Sequence, residues 1–231
     1  FIPENNQVVL ETGKAKNVVV NIKNDTNGLI FGGQGTVYDV EAVAAGYKVS
    51  KAKAELTFTN KNIYLYQAEG DIAGQEVHVS GKIALYNQPI FSLTIKSPAI
   101  DPSLFVSGLP FQGIMAVNAR VYGSLDDIRA EGKVTAKNGM FKNYSVQDTA
   151  ANFSYKDQIV SIAKITTSVF DGSLTGSGLI HLQDQAYYFE AVGKQMNSEA
   201  VALIDGLQGR ANIEVAISGQ GNAMPAVIGK A

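Results

Sequence analysis

Cysteine and tryptophan are absent from this 231-residue chain, and histidine occurs only at His78 and His181. Without cysteine there is no disulfide scaffold, no thiol nucleophile and no cysteine-based zinc site. A disulfide-free chain remains compatible with the periplasm. Arginine is confined to Arg120, Arg129 and Arg210, and the formal net charge is −2. Nucleic-acid binding is driven by neutralising phosphates and leaves a basic stripe. The sequence has no such stripe, and no polybasic cluster to meet an anionic membrane surface. No apolar run approaches the roughly 18 residues that a helix needs to span a bilayer. The chain opens on Phe1 with neither methionine nor a signal peptide, which points to processing or excision.

Apolar residues make up 45% of the chain, too many for a disordered segment. The length supports one all-β unit or two smaller ones, each with a core. Self-similarity comes first, because it changes the whole fold reading. Gly46-Tyr47-Lys48-Val49 matches Asn143-Tyr144-Ser145-Val146 at an offset of 97 residues. The same offset sets Ala54, Leu56 and Phe58 on Ala151, Phe153 and Tyr155, and Ser80-Gly81-Lys82-Ile83 on Ser177-Gly178-Leu179-Ile180. Gly35, Gly132 and Gly229 are three successive equivalents. The competing explanation is chance alignment of alternating strands. It is weakened because the matches include a tyrosine, several glycines and a helix boundary. The expected organisation is one continuous β-repeat segment of a longer parent. Residues 1–34 end one copy, 35–131 form a first full copy, 132–228 a second, and 229–231 begin the next.

Apolar residues alternate with period two, the mark of half-buried antiparallel strands. Leu56 and Phe58 alternate with Glu55, Thr57 and Thr59, and Val77, Val79, Ile83 and Leu85 with Glu76, His78 and Lys82. Met115, Val117 and Val121 alternate with Asn118 and Arg120, and Leu174, Ile180, Leu182, Ile213, Val215 and Ile217 continue the pattern. Turns at 24–28, 60–62, 86–89, 137–139 and 156–158 are rich in Asn, Asp, Gly or Pro. Glycines inside Thr175-Gly176-Ser177-Gly178 bend the sheet or allow a close approach. One short helix is expected per copy. Asp101 caps the first, Pro102 sits in its first turn and Gly108 ends it; the second runs from Ser198 to Gly206.

Catalytic chemistry has little material here. His78 and His181 are not superposed by the repeat and lack a metal-ligand spacing, so they read as solvated strand residues. Asp126-Asp127 ahead of Arg129 reads as a loop with a local charge pair. Gly32-Gly33-Gln34-Gly35 is followed by strand residues rather than the helix a phosphate cradle requires. We therefore expect no enzyme, no metal and no cofactor.

Four blocks recur in a fixed order. They are Val121-Tyr122-Gly123-Ser124-Leu125-Asp126-Asp127-Ile128-Arg129-Ala130-Glu131-Gly132-Lys133-Val134, then Asn138-Gly139-Met140-Phe141, Ala150-Ala151-Asn152-Phe153-Ser154-Tyr155, and Val169-Phe170-Asp171-Gly172-Ser173-Leu174-Thr175-Gly176-Ser177-Gly178. This order resembles the TamB branch of the AsmA-like, bridge-type lipid-transfer family, over nearly the whole chain and most closely from 111 to 204. Ile128 departs from the family, where proline is common. The resemblance implies an all-β, elongated, incompletely closed, taco-like antiparallel sheet with an apolar concave interior. It also implies a periplasmic parent anchored in the inner membrane and reaching the outer membrane. Phospholipid acyl chains would be the cargo, with an Omp85-type outer-membrane protein as a possible partner.

On that reading the groove is lined by Leu56, Phe58, Ile63, Leu65, Val77, Val79, Ile83, Leu85, Met115, Val117, Val121, Phe153, Tyr155, Leu174, Ile180, Leu182, Ile213, Val215 and Ile217. The same residues fill a closed sandwich or barrel core in the alternative, a structural or adhesive surface repeat. A third reading makes the chain a scaffold for outer-membrane protein assembly through strand pairing.

Overall fold

A computed structural model describes residues 8–26, 28–44, 46–105, 109, 111–201, 208–221 and 226–230. Among these residues the chain is almost entirely strand. The strands are β1 (Val8–Asp25), β2 (Gly28–Ala44), β3 (Tyr47–Thr59), β4 (Asn62–Ile72), β5 (Gln75–Ala84), β6 (Ile90–Ile100), β7 (Phe111–Gln112) and β8 (Met115–Ser124). They continue with β9 (Asp127–Phe141), β10 (Tyr144–Lys156), β11 (Ile159–Val169), β12 (Gly172–His181), β13 (Ala186–Asn197), β14 (Arg210–Gln220) and β15 (Ala226–Lys230). They form one antiparallel sheet in sequence order that does not close into a barrel, with β7 set aside to pair with β9.

The chain falls into two compact units. One is built on β1–β6 with Asn118–Ala130, the other on Asp101–Val117 and the residues from Glu131 onward. Strand bounds recur between them at the offset found in the sequence. β3, β4 and β5 start at Tyr47, Asn62 and Gln75, while β10, β11 and β12 start at Tyr144, Ile159 and Gly172, each 97 residues on.

The turns recur as well. Ala73-Gly74 joins β4 to β5 with both residues at positive φ, as type I′ hairpin turns require, and Phe170-Asp171 does the same between β11 and β12. Lys51 and Asp148, also 97 residues apart, both adopt positive φ at a register shift in their strands. The peptide N–H of Leu85 bonds the Lys61 carbonyl, and that of Leu182 bonds the Gln158 carbonyl.

The helices are shorter than their sequence signals. Asp101 accepts from the Ser103 N–H at 2.9 Å and caps a single 3₁₀ turn, Pro102–Leu104. The second helix is α1 (Ser198–Val201), and Asn197 accepts from the Glu199 N–H at its start. The expected ends at Gly108 and Gly206 lie outside the described residues.

Candidate apolar site

Register decides which side chains share a face, because directly paired residues point the same way. In the first unit Phe58, Ile63, Ile83 and Phe91 pair in succession across β3 to β6. A parallel row runs Gly35, Leu56, Leu65, Gly81 and Leu93, and a third runs Ala54, Ala68, Val79 and Ile95. In the second unit the rows are Tyr155, Val160, Ile180, Tyr187 and Gly219, and Phe153, Ile162, Gly178, Phe189, Ile217 and Val227. The opposite face carries Asn152, Ser154, Thr175, Ser177, Glu190 and Glu214, all exposed. In the second unit one face is thus apolar and the other mixes these polar residues with Leu179, Tyr188, Val192 and Ile228.

The apolar face is incompletely covered. Of the residues expected to line a groove, Val77, Ile180 and Ile213 are buried. Leu56, Phe58, Ile63, Leu65, Val79, Ile83, Met115, Val117, Val121, Phe153, Tyr155, Leu174, Leu182, Val215 and Ile217 are half-buried. Leu85 lies past the end of β5 and is exposed, and Leu182 lies past β12.

Glycines let large rings lie flat on neighbouring strands. A Cβ at Gly178 would stand 2.3 Å from Cδ1 of Phe189, and one at Gly219 would stand 2.4 Å from the Tyr187 hydroxyl. Close approach is therefore the reason for glycine within these strands.

The second unit also contains a packed cluster and a cavity. Val146, Val169, Met196 and Ile213 are buried together, and Phe111, Phe141, Phe170, Leu174 and Ala211 pack against them. Beside them is a cavity of about 200 Å³, walled by Phe111, Phe141, Tyr144, Val146, Ile165, Val169, Phe170, Leu174, Phe189, Ala191, Met196, Ile213, Val215, Ile217 and Val227. Thr149, Thr167, Glu190 and Glu214 also contribute to its wall.

The sheet in this unit curls to make the cavity. Phe141 on β9 and Phe189 on β13 are four strand steps apart, a separation of about 19 Å in a flat sheet. Their ring centroids are 5.8 Å apart, edge to face.

Leu174, Ile213, Val215 and Ile217 are thus the expected groove residues that meet at the cavity. The aromatic wall of Phe111, Phe141, Phe170 and Phe189 and the buried Met196 were not among the expected residues. The reason is local. Asp148 and Gln195 sit in bulges at positive φ, and each bulge shifts the inward-outward alternation, so Val146 and Met196 are out of phase with the rest of their strands. Phe170 is a turn residue, where period two does not apply. The signal available in the sequence was the aromatic residue at each strand end, Phe141 and Phe170.

Polar chemistry lies on the opposite face and at the turns. His78 Nε2 is 2.9 Å from Glu76 Oε1 at an exposed site. Arg129 donates to both carboxylate oxygens of Asp127, and Gln88 donates to Asp126. Gly32 to Gly35 lie inside β2, where a Cβ at Gly33 would stand 2.8 Å from the Phe58 ring. Tyr155 ionises above its ordinary range near 10.0, chiefly because burial disfavours the phenolate. No helix among the described residues is long and apolar enough to cross a membrane. No protein-family model, curated protein or solved structure matches the chain.

Proposed function

We propose that this chain is a segment of an envelope lipid-transfer protein, in which the apolar faces form an open, taco-like trough. The trough shields phospholipid acyl chains in transit between inner and outer membranes. The observation that carries this reading is that rows of large apolar side chains, paired strand to strand, stay half-buried in both units. A filled sandwich core would bury most of them. The curl between Phe141 and Phe189 and the cavity beside it support the same reading. The resemblance to the TamB branch supplies the cargo, the periplasmic setting and the inner-membrane anchor of the parent.

The physics suits the task. Each methylene kept from water contributes about 0.8 kcal/mol, so a sixteen-carbon chain in water costs on the order of 12 kcal/mol. Successive strands add about 4.8 Å, so a repeat of seven strands gives roughly 35 Å of trough. Even, unspecific contacts let a chain slide, while a headgroup stays wet at the open side.

The test is photocrosslinking from Leu56, Val79, Met115 and Phe153, with mass spectrometry of lipid in the purified chain. Lipid adducts at several positions are the expected result. Adducts at none, with no co-purified lipid, would leave only a structural repeat.

A further inference from the structure

Beside the partly open cavity of the second unit, the β9–β10 turn makes contacts that reach strands it does not pair with. Where β9 turns into β10, Phe141 meets the Phe189 ring edge-on at 5.8 Å. One residue on, the Lys142 ammonium donates a hydrogen bond to the Gly221 backbone carbonyl at 2.9 Å and lies 5.2 Å from the centre of the Tyr187 ring. Past the turn, Tyr144 meets Phe170 edge-on at 5.4 Å. Met196, with 0% of its surface exposed, lies in the cluster that Phe141 and Phe170 cover. The first copy keeps the tyrosine, as Tyr47, but lacks the rest: the residues 97 positions before Phe141, Lys142, Phe170 and Met196 are Ala44, Ala45, Ala73 and Ala99.

We infer that the β9–β10 turn is a strap across the apolar face of this unit, with Lys142 as its latch, and that its opening admits hydrocarbon to the cavity. The inference rests on the proposed reading of the cavity as an acyl-chain site. The reason is energetic. A hydrogen bond from a charged donor and a cation–π contact hold this two-residue turn beside the apolar cluster. A contact of this size is strong enough to keep the strap closed at rest and weak enough to yield to an incoming chain.

The chain has no cysteine, so methionine oxidation by hydrogen peroxide reads the opening directly, peptide by peptide. Losing one hydrogen bond from a charged donor should raise the rate of Met196 sulfoxide formation about tenfold in Lys142→Met, with Met115 unchanged. Lys142→Arg, which keeps a cationic donor, should stay close to the wild-type rate, and Phe141→Ala should expose Met196 as Lys142→Met does. Equal protection of Met196 in Lys142→Met and Phe141→Ala overturns the strap. The second arm follows cis-parinaric acid by stopped flow, with faster entry expected in Lys142→Met. If Met196 is unmasked but the fatty acid binds no variant, the strap stands as a hinge and hydrocarbon is rejected as what it admits.

Discussion

Strands β3 to β5 and strands β10 to β12 have the same starts 97 residues apart, the same I′ turn and the same bulge, yet they carry different interiors. In the first copy the apolar rows run through Leu56, Leu65 and Ile83 and remain half-buried, with small residues such as Ala73 at the turn. In the second, Phe170 replaces that alanine, Phe141 stands at the strand end, and the two pack against the cluster around Met196 and line a cavity. The lesson is that backbone and lining are specified separately. Turn and bulge residues set the frame, while a few aromatic substitutions decide whether a stretch of apolar face stays open or is covered.

The largest expected effect breaks the enclosed copy alone. Met196→Ala removes the most buried side chain and should cost about 2–5 kcal/mol, since a packed site collapses poorly around the void. Val79→Ala on the half-buried face of the first copy should cost about 1 kcal/mol. Hydrogen exchange should show the loss confined to β10–β14 for Met196→Ala, because units with separate cores open separately. Loss spread evenly over β3–β6 would erase the contrast.

Occupancy is the next difference. Ile217→Glu places a carboxylate at the cavity wall, where nothing offsets its desolvation, and should lower retained lipid in the second unit about tenfold. Crosslinking at Leu56 in the first unit should be unchanged. Lipid yield equal to wild type at both positions would disconnect the cavity from cargo.

A smaller change separates the two I′ turns. Asp171 holds φ at 54°, where its counterpart Gly74 stands at 78° without a Cβ. Asp171→Gly should stabilise the second copy by a few tenths to about 1 kcal/mol. Chemical denaturation reads this as a higher midpoint with the same slope.

The smallest concerns pH. Burial raises Tyr155 above its ordinary range, and the residue 97 positions before it is Phe58, which cannot ionise. In the unfolded chain the phenol ionises near pH 10, before it does so in the folded state, so the unfolded state loses its proton first. Stability is therefore full below about pH 10 and falls as pH rises from there through the raised folded value. Tyr155→Phe should flatten that decline in the second unit and leave the first unit's profile unchanged.

Much of the frame could be read from the chain. Tyr47 with Tyr144, and Gly81 with Gly178, gave the 97-residue offset, and Asp101-Pro102 placed the turn that it caps. Alternation placed Leu174, Ile213, Val215 and Ile217 on the face where the cavity forms. Val146 and Met196 were out of reach, because bulges at Asp148 and Gln195 shift the phase that alternation relies on. The strap was equally hidden, since Lys142 and Gly221 are 79 residues apart and no local pattern links them.

The turn expected at 137–139 lies inside β9. Otherwise the sequence by itself determined an all-β chain, its repeat period, the turns at 24–28, 60–62, 86–89 and 156–158 and, away from bulges, which side chains share a face. These follow from dihedral preferences and from a side-chain period of two, both of which act over a few residues. Tertiary structure decided how far the sheet curls, where Phe141 meets Phe189, and that a cavity lies in the second unit. Those depend on contacts between strands several places apart, where packing rather than local propensity sets the distance.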